Sequence, residues 1–394
     1  MERTEVAVIG AGPGGATAAY FLAEAGIKVT LFDKKTFPRD KTCGDMVTAE
    51  GLQVLEQMQL GEWSSPFKKV GALRFTSPAA AVLDIPVMPV RSDTAARIIP
   101  RRELDHELVR AAVRAGAGLR DGVCVSDIDL GGPRPVIRSD SMTMEADMVI
   151  LADGSRAPLT RRLGLVREDF DLIAVQQYLF HDGDPAGPVE FHFQRTVIPG
   201  YTWLIPMGDG RLNIGAGTFT SRVRRNELDL KAVLESFKSA HPVERDFFKD
   251  ARPDGPIKAH PLRTSLDGTQ THAARILVVG DAAGLVSPFT GEGIASAMWS
   301  GKQAAGRAKL ALTAGDFSAG FLSTYTRDLR SRYSADKRAG RALRRILKNP
   351  SLLDHAFKRM QGDPGLAQLF MHVFLDERSP RLMFGMKTLL RLLL

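Results

Sequence analysis

Short, uninterrupted apolar runs separated by helical segments dominate the first part of the chain. Residues 6–9 form one such run, residues 16–24 have the pattern of a helix, and residues 29–32 form a second run. A strand whose residues are all apolar has both faces covered, which is typical of a parallel sheet. Residues 148–151 and 276–279 repeat this pattern. These segments predict one α/β lobe assembled from separate parts of the chain.

Other segments have a different pattern and indicate a second lobe. Residues 70–97 and 165–265 contain short strand-like runs interrupted by Pro, Ser and Gly, which predict an antiparallel sheet. Residues 101–115 and the chain from 296 onward have helical periodicity. We therefore predict an α/β fold in which a Rossmann-type lobe carries an inserted antiparallel-sheet lobe and a helical C-terminus. The predicted boundaries are 1–70, 98–163 and 270–325 for the first lobe, 71–97 and 164–269 for the second, and 326–394 for the C-terminal region.

A glycine turn joins the first predicted strand to the first helix. Gly10, Gly12 and Gly15 form GxGxxG, in which the glycines permit a tight turn, close approach of a pyrophosphate, and close packing of helix on strand. Asp33 ends the next strand about 20 residues later, where a carboxylate can accept hydrogen bonds from a ribose diol. Strand, helix and acid occur in this order, which favours a dinucleotide site over a glycine-rich surface turn. The carboxylate favours an unphosphorylated ribose, and therefore FAD or NAD over NADP.

Two later turns decide between these dinucleotides. Asp153-Gly154 ends one buried strand and leads to Arg-Arg-Leu-Gly, and Gly280-Asp281 ends another. At the second turn, Asp281 can bond a ribityl hydroxyl while the next helix's N-terminus faces the pyrophosphate or the ring. The order of GxGxxG, Asp-Gly turn and GDAAGLVSPFTGEGI resembles the FAD-dependent enzymes of the aromatic hydroxylase superfamily. This resemblance implies FAD as the cofactor.

Finer motifs resemble the geranylgeranyl reductase family. That family's Tyr-x-Trp-x-Phe-Pro, followed by Gly-x-Gly, corresponds to residues 201–206 and 215–217, with Ile205 in place of phenylalanine. Residues 37–45 are similar to its lysine-x-cysteine-glycine segment beside the flavin, and residues 287–294 also match. The resemblance extends from the first residue to about residue 330. It implies FAD-dependent reduction of a carbon-carbon double bond in a hydrophobic, prenyl-type (geranylgeranyl-like) or related polyene substrate.

The motifs and the resemblance together identify candidate site residues. The predicted catalytic residues are Cys43, Tyr201, Trp203 and Gly291. The predicted cofactor-binding residues lie at strand ends, turns and helix starts: Gly10, Gly12, Gly15, Asp33, Lys34, Arg39, Cys43, Gly44, Asp45, Arg101, Val125, Asp153, Gly154, Gly280, Asp281, Pro288, Gly291, Glu292, Gly293 and Ile294. An apolar substrate tunnel is predicted from aromatics of the second lobe: Phe180, Phe191, Phe193, Tyr201, Trp203 and Phe219. The proton donor is left open between Cys43 and an ordered water.

Several of these residues have a second interpretation. Tyr201 and Trp203 project to the same face of a strand and could be core aromatics, although the following Gly-x-Gly favours a cavity wall. Cys43 alone would most often be a small buried hydrophobe. Arg101 resembles the superfamily arginine that contacts the flavin side chain or phosphate, with Arg102 as the alternative and a solvated face open to either. The Gly-Glu-Gly turn at residues 291–293 could be an ordinary loop.

A different class of flavin chemistry is the main alternative. Oxygen-using relatives share the FAD motifs, and halogenases carry a Trp-x-Trp-x-Ile-Pro stretch that residues 201–206 nearly reproduce. Halogenation also needs a lysine between flavin and substrate, and Lys68 and Lys69 lie in the corresponding region. The alternative is therefore an FAD-dependent monooxygenase or halogenase of a hydrophobic or aromatic natural product. A non-enzymatic flavin-binding scaffold is disfavoured, because the motifs at 43–44 and 291–293 would crowd the ring edge for no structural gain.

Composition narrows the remaining classes. The 394 residues are 44% hydrophobic and 25% charged, as in ordinary globular proteins. Cys43 and Cys124 are the only cysteines, too few for a disulfide framework, a zinc site or an iron–sulfur cluster. No metal site is predicted. The chain starts directly in the first strand and has no apolar run of about 20 residues, so we expect a cytoplasmic protein, with peripheral contact at the inner face of the membrane left open.

The net charge of +8 is concentrated near the C-terminus. Residues 327–348 contain nine Lys or Arg and only two Asp. We interpret residues 321–348 as a solvated helix that packs one apolar stripe on the first lobe. Contact with anionic lipid, or with an acidic carrier or electron donor, remains an alternative, and residues 381–394 fit an interface or a packed final helix. Nucleic acid is not expected, and the external reductant, whether NADPH, NADH or ferredoxin, is not identified because no second GxGxxG occurs.

Overall fold

The computed structural model describes residues 2–88, 95–182, 187–241 and 247–393. The strands are β1 (Glu2–Ile9), β2 (Val29–Asp33), β3 (Met46–Val47), β4 (Ala72–Thr76), β5 (Val82–Pro86), β6 (Arg97–Ile98), β7 (Gly118–Asp121), β8 (Val125–Asp129), β9 (Val136–Ser139), β10 (Thr143–Leu151), β11 (Leu172–His181), β12 (Val189–His192), β13 (Tyr201–Pro206), β14 (Arg211–Phe219), β15 (Ala251–Pro253), β16 (Lys258–Leu262), β17 (His272–Ala273) and β18 (Ile276–Val278). The helices are α1 (Pro13–Glu24), α2 (Ala49–Gln57), α3 (Gly61–Ser64), α4 (Arg101–Arg114), α5 (Pro158–Arg162), α6 (Thr220–Arg224), α7 (Leu230–Ser239), α8 (Ile294–Ala314), α9 (Ala319–Ile346), α10 (Pro350–Gly362), α11 (Pro364–Phe374) and α12 (Met386–Leu393), with 3-10 turns at Gly280–Ala283 and Pro380–Phe384.

The apolar runs form the first sheet, as predicted. β18, β10, β1, β2 and β7 lie side by side and pair in parallel. β17 pairs antiparallel with β18, and the hairpin of β8 and β9 joins the first residues of β10. Every residue of β2 is buried. α1 packs on β1, β2 and β10 and also contacts α4 and α8, so the strands are covered in the way their composition requires.

The second sheet contains the strands predicted between residues 165 and 265, together with β4 and β5. Its order is β15, β11, β14, β13, β12, β4 and β5, with β16 also paired to β11. The strands pair antiparallel, as predicted, except that β4 and β12 pair in parallel. β4 enters this sheet from the first lobe, more than a hundred residues before β12, so no hairpin connects the two strands and sets their direction.

The C-terminal helices join the two lobes. Leu322, Tyr325 and Leu329 of α9 are buried in the core of the first lobe. α10 and α11 instead cover the second sheet, where Phe370 and Phe374 pack on Phe75 of β4 with ring centroids 5.0 Å apart. The predicted final helix forms as α12, and Met386 and Leu390 are exposed there. Among the helices of the described ranges, none has the length and apolar character needed to cross a membrane.

Candidate active site

A cavity of about 910 Å³ lies where the two sheets meet. One side is formed by the carboxyl ends of β1, β2, β10 and β18, which is where ligands bind open parallel sheets. The other side is formed by β13 and β14 of the second sheet. Two C-terminal residues, Arg344 and Phe374, complete the wall. All three parts of the chain therefore contribute to one site.

The glycine turn after β1 leaves bare backbone at one end of the cavity. A Cβ atom on Gly10, whose φ is +104°, would lie 2.2 Å from the carbonyl oxygen of Ala152. Above Gly12 the space is open, and the nearest atom to a built Cβ is an Arg39 nitrogen at 3.9 Å. Asp33 borders the same space and accepts a hydrogen bond from the amide of Ala11 at 3.0 Å. A pyrophosphate can therefore approach the backbone of this turn closely, because the space above Gly12 is open.

Positive charge surrounds this end of the cavity. Arg101 is held by Asp105 through two hydrogen bonds of 2.7 and 2.8 Å, and Arg39 bonds the same carboxylate at 2.9 Å. Lys41 contacts His260, and burial, followed by the charge of Arg101, lowers the pKa of Lys41 to about 8. Such a basic wall stabilises the two negative charges of a dinucleotide pyrophosphate. The cradle and its charge fit FAD. Lys34, Val125 and Gly154 border the cavity as well.

The two strand-end acids have different hydrogen-bond partners. Asp153 borders the cavity, but its carboxylate accepts bonds from the amides of Leu159 and Thr160 at 2.9 and 3.1 Å, and so caps α5. Asp281 accepts a bond from the Ser155 hydroxyl at 2.6 Å and also faces the cavity. A carboxylate has about four acceptor sites, so Asp281 retains capacity for the ribityl hydroxyl that the sequence predicts.

Cys43 and Gly44 border the cavity, and burial raises the pKa of the Cys43 thiol. Asp45 is fully buried behind them, with a φ of +59°. Its carboxylate accepts bonds from the Tyr178 hydroxyl at 2.6 Å, the Asn213 amide at 2.7 Å and the Arg101 backbone amide at 3.0 Å. Asp45 therefore supports the Cys43 segment from behind and does not border the cavity.

An aromatic wall faces the nucleotide cradle. Tyr201 lies between Phe191 and Phe374, with ring centroids 5.4 and 5.9 Å away. Its hydroxyl donates a hydrogen bond to the carbonyl of Thr290, and burial raises its pKa. Trp203 is 7% exposed and donates from Nε1 to Asn213 Oδ1 at 3.0 Å. The cavity-wall interpretation of these two aromatics is therefore the one that the geometry supports.

The start of α8 completes the cavity beside Tyr201. Pro288, the Gly-Glu-Gly turn at residues 291–293 and Ile294 all border it. Glu292 accepts a hydrogen bond from the amide of Ala295 at 2.7 Å, and Asp376 accepts one from the Thr290 hydroxyl at 3.0 Å. Burial is the main cause that raises the pKa of both carboxyls, and the charge of Asp376 adds to the effect at Glu292. Glu292 therefore favours its protonated form near neutral pH.

The structure places most predicted site residues on the cavity, with a few corrections. Besides Asp45, Gly15 does not border it, because a Cβ there would lie 1.8 Å from the carbonyl oxygen of Gly10 and the residue serves helix packing. Arg101 is buried on the cavity, whereas Arg102 is exposed. Two tunnel aromatics are also placed elsewhere. Phe193 packs on Phe75 and Tyr201 and does not border the cavity, and Phe180 lies under Arg252 at 4.7 Å.

The structure also adds residues that sequence reasoning missed. The solvated-helix interpretation is wrong for the last turns of α9, where Lys337 and Arg344 are 4% and 6% exposed. Arg344 lies over the ring of Phe219, 3.9 Å from its centroid, on the cavity wall. Phe374 and Asp376 come from the region that no motif covers. Lys34, Lys35, Lys41 and Lys258 border the cavity, whereas Lys68 and Lys69, the lysines considered for halogenation, do not.

Comparison with known proteins agrees with this geometry. The family model described as FAD binding domain matches residues 3–336. The menaquinone reductase of Mycobacterium tuberculosis is 31% identical over 77% of this chain and 76% of its own. Digeranylgeranylglycerophospholipid reductase 1 of Methanothermobacter thermautotrophicus is 30% identical over 83% of this chain and 82% of its own.

Solved structures share the fold. A geranylgeranyl bacteriochlorophyll reductase-like protein from Thermoplasma acidophilum has a TM-score of 0.83 at 23% identity, covering 98% of this chain and 99% of that one. The flavin-dependent brominase Bmp2 has a TM-score of 0.76 at 18% identity, with 97% of each chain covered. Below 25% identity these matches show the fold alone. The sequence matches and the cradle together establish that this chain belongs to the FAD-binding oxidoreductases of the geranylgeranyl reductase-like family.

Proposed function

We propose that the protein reduces isolated carbon-carbon double bonds in a prenyl-type or related polyene chain. The observation that carries the proposal is the aromatic wall of the cavity opposite the nucleotide cradle. Phe191, Tyr201, Trp203, Phe289 and Phe374 all border this space. An alkene chain offers no charge to bind, so a site for it has to be apolar. The names of the two sequence relatives, one a quinone reductase and one a prenyl-lipid reductase, agree with such a substrate.

The protein's own residues would position the chain and exclude water. Bound FAD in its reduced form supplies the hydride, which is chemistry that the side chains present cannot perform. The ring of Tyr201 is fixed by its bond to Thr290, and that of Trp203 by its bond to Asn213. Rings held in this way would fix the position of the alkene in the cavity relative to the flavin. Holding two reactants in a fixed geometry lowers the barrier to their reaction.

Reduction of a double bond also needs a proton, and two groups on the cavity wall can hold one. The Cys43 thiol stays protonated because burial raises its pKa. The Glu292 carboxyl has a raised pKa for the same reason, and its Oε1 is engaged by the amide of Ala295. We propose Glu292 as the donor, because a carboxylic acid transfers a proton from its second oxygen while that amide bond keeps the group in place.

The position of Arg344 indicates that the substrate carries a polar head group. Its guanidinium is almost fully buried on the cavity wall, 3.5 Å from Asp171 and stacked on Phe219. Nη1 has no hydrogen-bond partner among the described residues. A buried guanidinium nitrogen without a partner is costly unless a ligand atom completes it. We propose that an anionic head group of the substrate does so, which favours a prenyl phospholipid or diphosphate over a neutral quinone.

Halogenase or monooxygenase activity is the second candidate function. The observation that favours it is the position of Lys41 on the cavity wall. This lysine borders the cavity, and its pKa of about 8 leaves part of the population as neutral amine near neutral pH. Reductases and halogenases share this fold, so the fold does not separate the two reactions.

An anaerobic half-reaction separates them. The purified holoenzyme is reduced without oxygen, and flavin reoxidation is followed by absorbance after adding a geranylgeranyl phospholipid. The matched control is the fully saturated lipid with the same head group. Reoxidation by the unsaturated lipid, and not by the saturated lipid, supports the proposal. Reoxidation that requires oxygen, or that is the same with the saturated lipid, contradicts it.

A further inference from the structure

Three buried polar residues lie together in the second lobe, away from the cavity. Glu190 and His192 are two apart on β12, and His241 follows α7. None of the three is more than 4% exposed. Side chains two apart on a strand point to one face of the sheet. The residue between them, Phe191, points to the other face and borders the cavity. The cluster therefore lies behind the sheet and plays no part in the flavin site.

The three side chains converge on one point. Nε2 of His192 and Nε2 of His241 lie 3.0 and 3.2 Å from Oε2 of Glu190, and the three atoms are all within 4.8 Å of one another. Four ligands at about 2.0–2.1 Å around a zinc ion are separated by about 3.3 Å. The two measured separations are close to such edges. A cation at the common point would be bound by two imidazoles and one carboxylate.

The hydrogen bonding of the cluster is incomplete without a cation. Nε2 of His192 lies 3.0 Å from Oε2 of Glu190, yet neither atom has a hydrogen-bond partner among the described residues. Oε1 of Glu190 accepts a long bond of 3.5 Å from Arg74, whose guanidinium also bonds Asp84 at 2.7 and 2.9 Å. Buried carboxylates are costly unless they are paired with a cation or well hydrogen-bonded.

Surrounding residues resemble the outer shell of a metal site. Nδ1 of His192 lies 3.0 Å from the Thr76 hydroxyl, which fixes the ring and directs Nε2 toward Glu190. The rings of Phe237 and Phe248 lie 5.4 and 5.7 Å from the ring of His241 and form an apolar cover. A hydroxyl partner on the second ring nitrogen and a dry surrounding both strengthen metal binding by imidazole.

We propose that Glu190, His192 and His241 bind a divalent transition metal, with Zn²⁺ as the best match to two imidazoles and a carboxylate. The ion would connect β12 to the end of α7 and stabilise the second lobe without touching the flavin. The sequence predicts no metal, because two cysteines are too few for a zinc site. His241 is also about fifty residues away from the other two ligands, so no short motif joins the three. This proposal does not depend on which substrate the enzyme reduces.

The test uses tag-free holoenzyme treated with a chelator and then incubated with ZnCl₂. After removal of free metal, bound zinc is measured by atomic emission. We expect about one zinc per chain and a melting temperature raised by about 3 °C or more, since a ligand that binds only the native state stabilises it. His192→Gln and Glu190→Gln should retain almost no zinc. The matched control is His372→Gln, which removes a histidine paired with Glu377 at 2.6 Å. Within the described ranges this pair has no third ligand nearby, so the variant should bind zinc as the wild type does.

A measurement on the wild type alone covers the case in which the variants do not fold. Co²⁺ added to the chelator-treated holoenzyme should give the visible ligand-field bands of a tetrahedral site, with unchanged flavin absorbance. Zinc retained equally by wild type and His192→Gln would overturn the proposal. So would a wild type that retains no zinc and gives no cobalt bands.

Discussion

Replacing Gly215 with alanine places a methyl group against the aromatic wall. A Cβ built on Gly215 lies 2.0 Å from Cζ2 of Trp203 and 2.4 Å from the carbonyl oxygen of Val175 on the neighbouring strand. Carbon atoms pack at about 3.5–4.0 Å, so the indole has to move by about 1.5 Å or more, toward the cavity, or β11 and β14 have to separate. Both changes raise the free energy of the native state, because the indole is hydrogen-bonded and the carbonyl belongs to the sheet.

The expected cost has two parts. Overpacking of this kind costs about 1–3 kcal/mol. Moving the indole also breaks the 3.0 Å bond from Trp203 Nε1 to Asn213, which contributes about 1 kcal/mol. We therefore expect Gly215→Ala to lower the free energy of unfolding by about 2–4 kcal/mol. The displaced indole should also reduce turnover of a prenyl substrate while FAD stays bound, since the cradle lies on the other side of the cavity.

Gly217→Ala is the matched control from the same motif. Its built Cβ lies 3.6 Å from Cβ of Ala174 and 3.9 Å from Cζ3 of Trp203, which are ordinary contacts. Its stability should stay within about 1 kcal/mol of wild type. Urea unfolding at a fixed FAD concentration, followed by circular dichroism, compares the three proteins. If Gly215→Ala were as stable and as active as Gly217→Ala, the assignment of Gly215 as the residue that leaves room for Trp203 would be refuted.

Three further predictions concern titration and charge. Burial raises the pKa of Asp45 to about 6, so the native state holds a proton that the unfolded state has released. The free energy of unfolding should therefore fall by up to about 3 kcal/mol between about pH 4 and pH 6, and urea unfolding of Asp45→Asn should lack this slope. Glu292→Gln should slow anaerobic flavin reoxidation by an alkene about 100-fold or more. The wild-type rate should decline as the pH rises through the raised pKa of Glu292. If Cys43→Ala slowed reoxidation and Glu292→Gln did not, the thiol would be the donor. Arg344→Met should weaken binding of an anionic prenyl lipid about 10-fold or more in equilibrium titrations and leave a neutral prenyl quinone unaffected; equal losses for both would refute the head-group assignment.

The nucleotide cradle was predictable because its determinants are local. The strand, the glycine turn, α1 and Asp33 occupy one continuous stretch, and each residue's role depends on neighbours close in the chain. Tyr201 and Trp203 were ambiguous on their own, since a strand pattern does not show whether an aromatic faces a core or a cavity. The adjacent Gly-x-Gly resolved the ambiguity, because glycine opposite a large ring indicates that space is needed there.

The missed residues depend on long-range packing. The periodicity of α9 indicates a basic helix, but it does not show that the last turns bring Arg344 to the cavity wall. Phe374 and Asp376 reach the site only because α11 covers the second sheet. Asp45 belongs to the right motif, yet its left-handed backbone turns the carboxylate toward Tyr178 and Asn213. The boundaries of the lobes and the contacts of the basic helix with lipid or a carrier stay predictions.

The mass of the product after a single turnover tests the central claim most directly. The reduced holoenzyme is mixed with a geranylgeranyl phospholipid without oxygen, and separately with oxygen and halide present. The account predicts a product heavier by two hydrogen atoms per oxidised flavin in the anaerobic sample. A product that forms only in the second sample and gains oxygen or halogen would contradict it and identify a monooxygenase or halogenase.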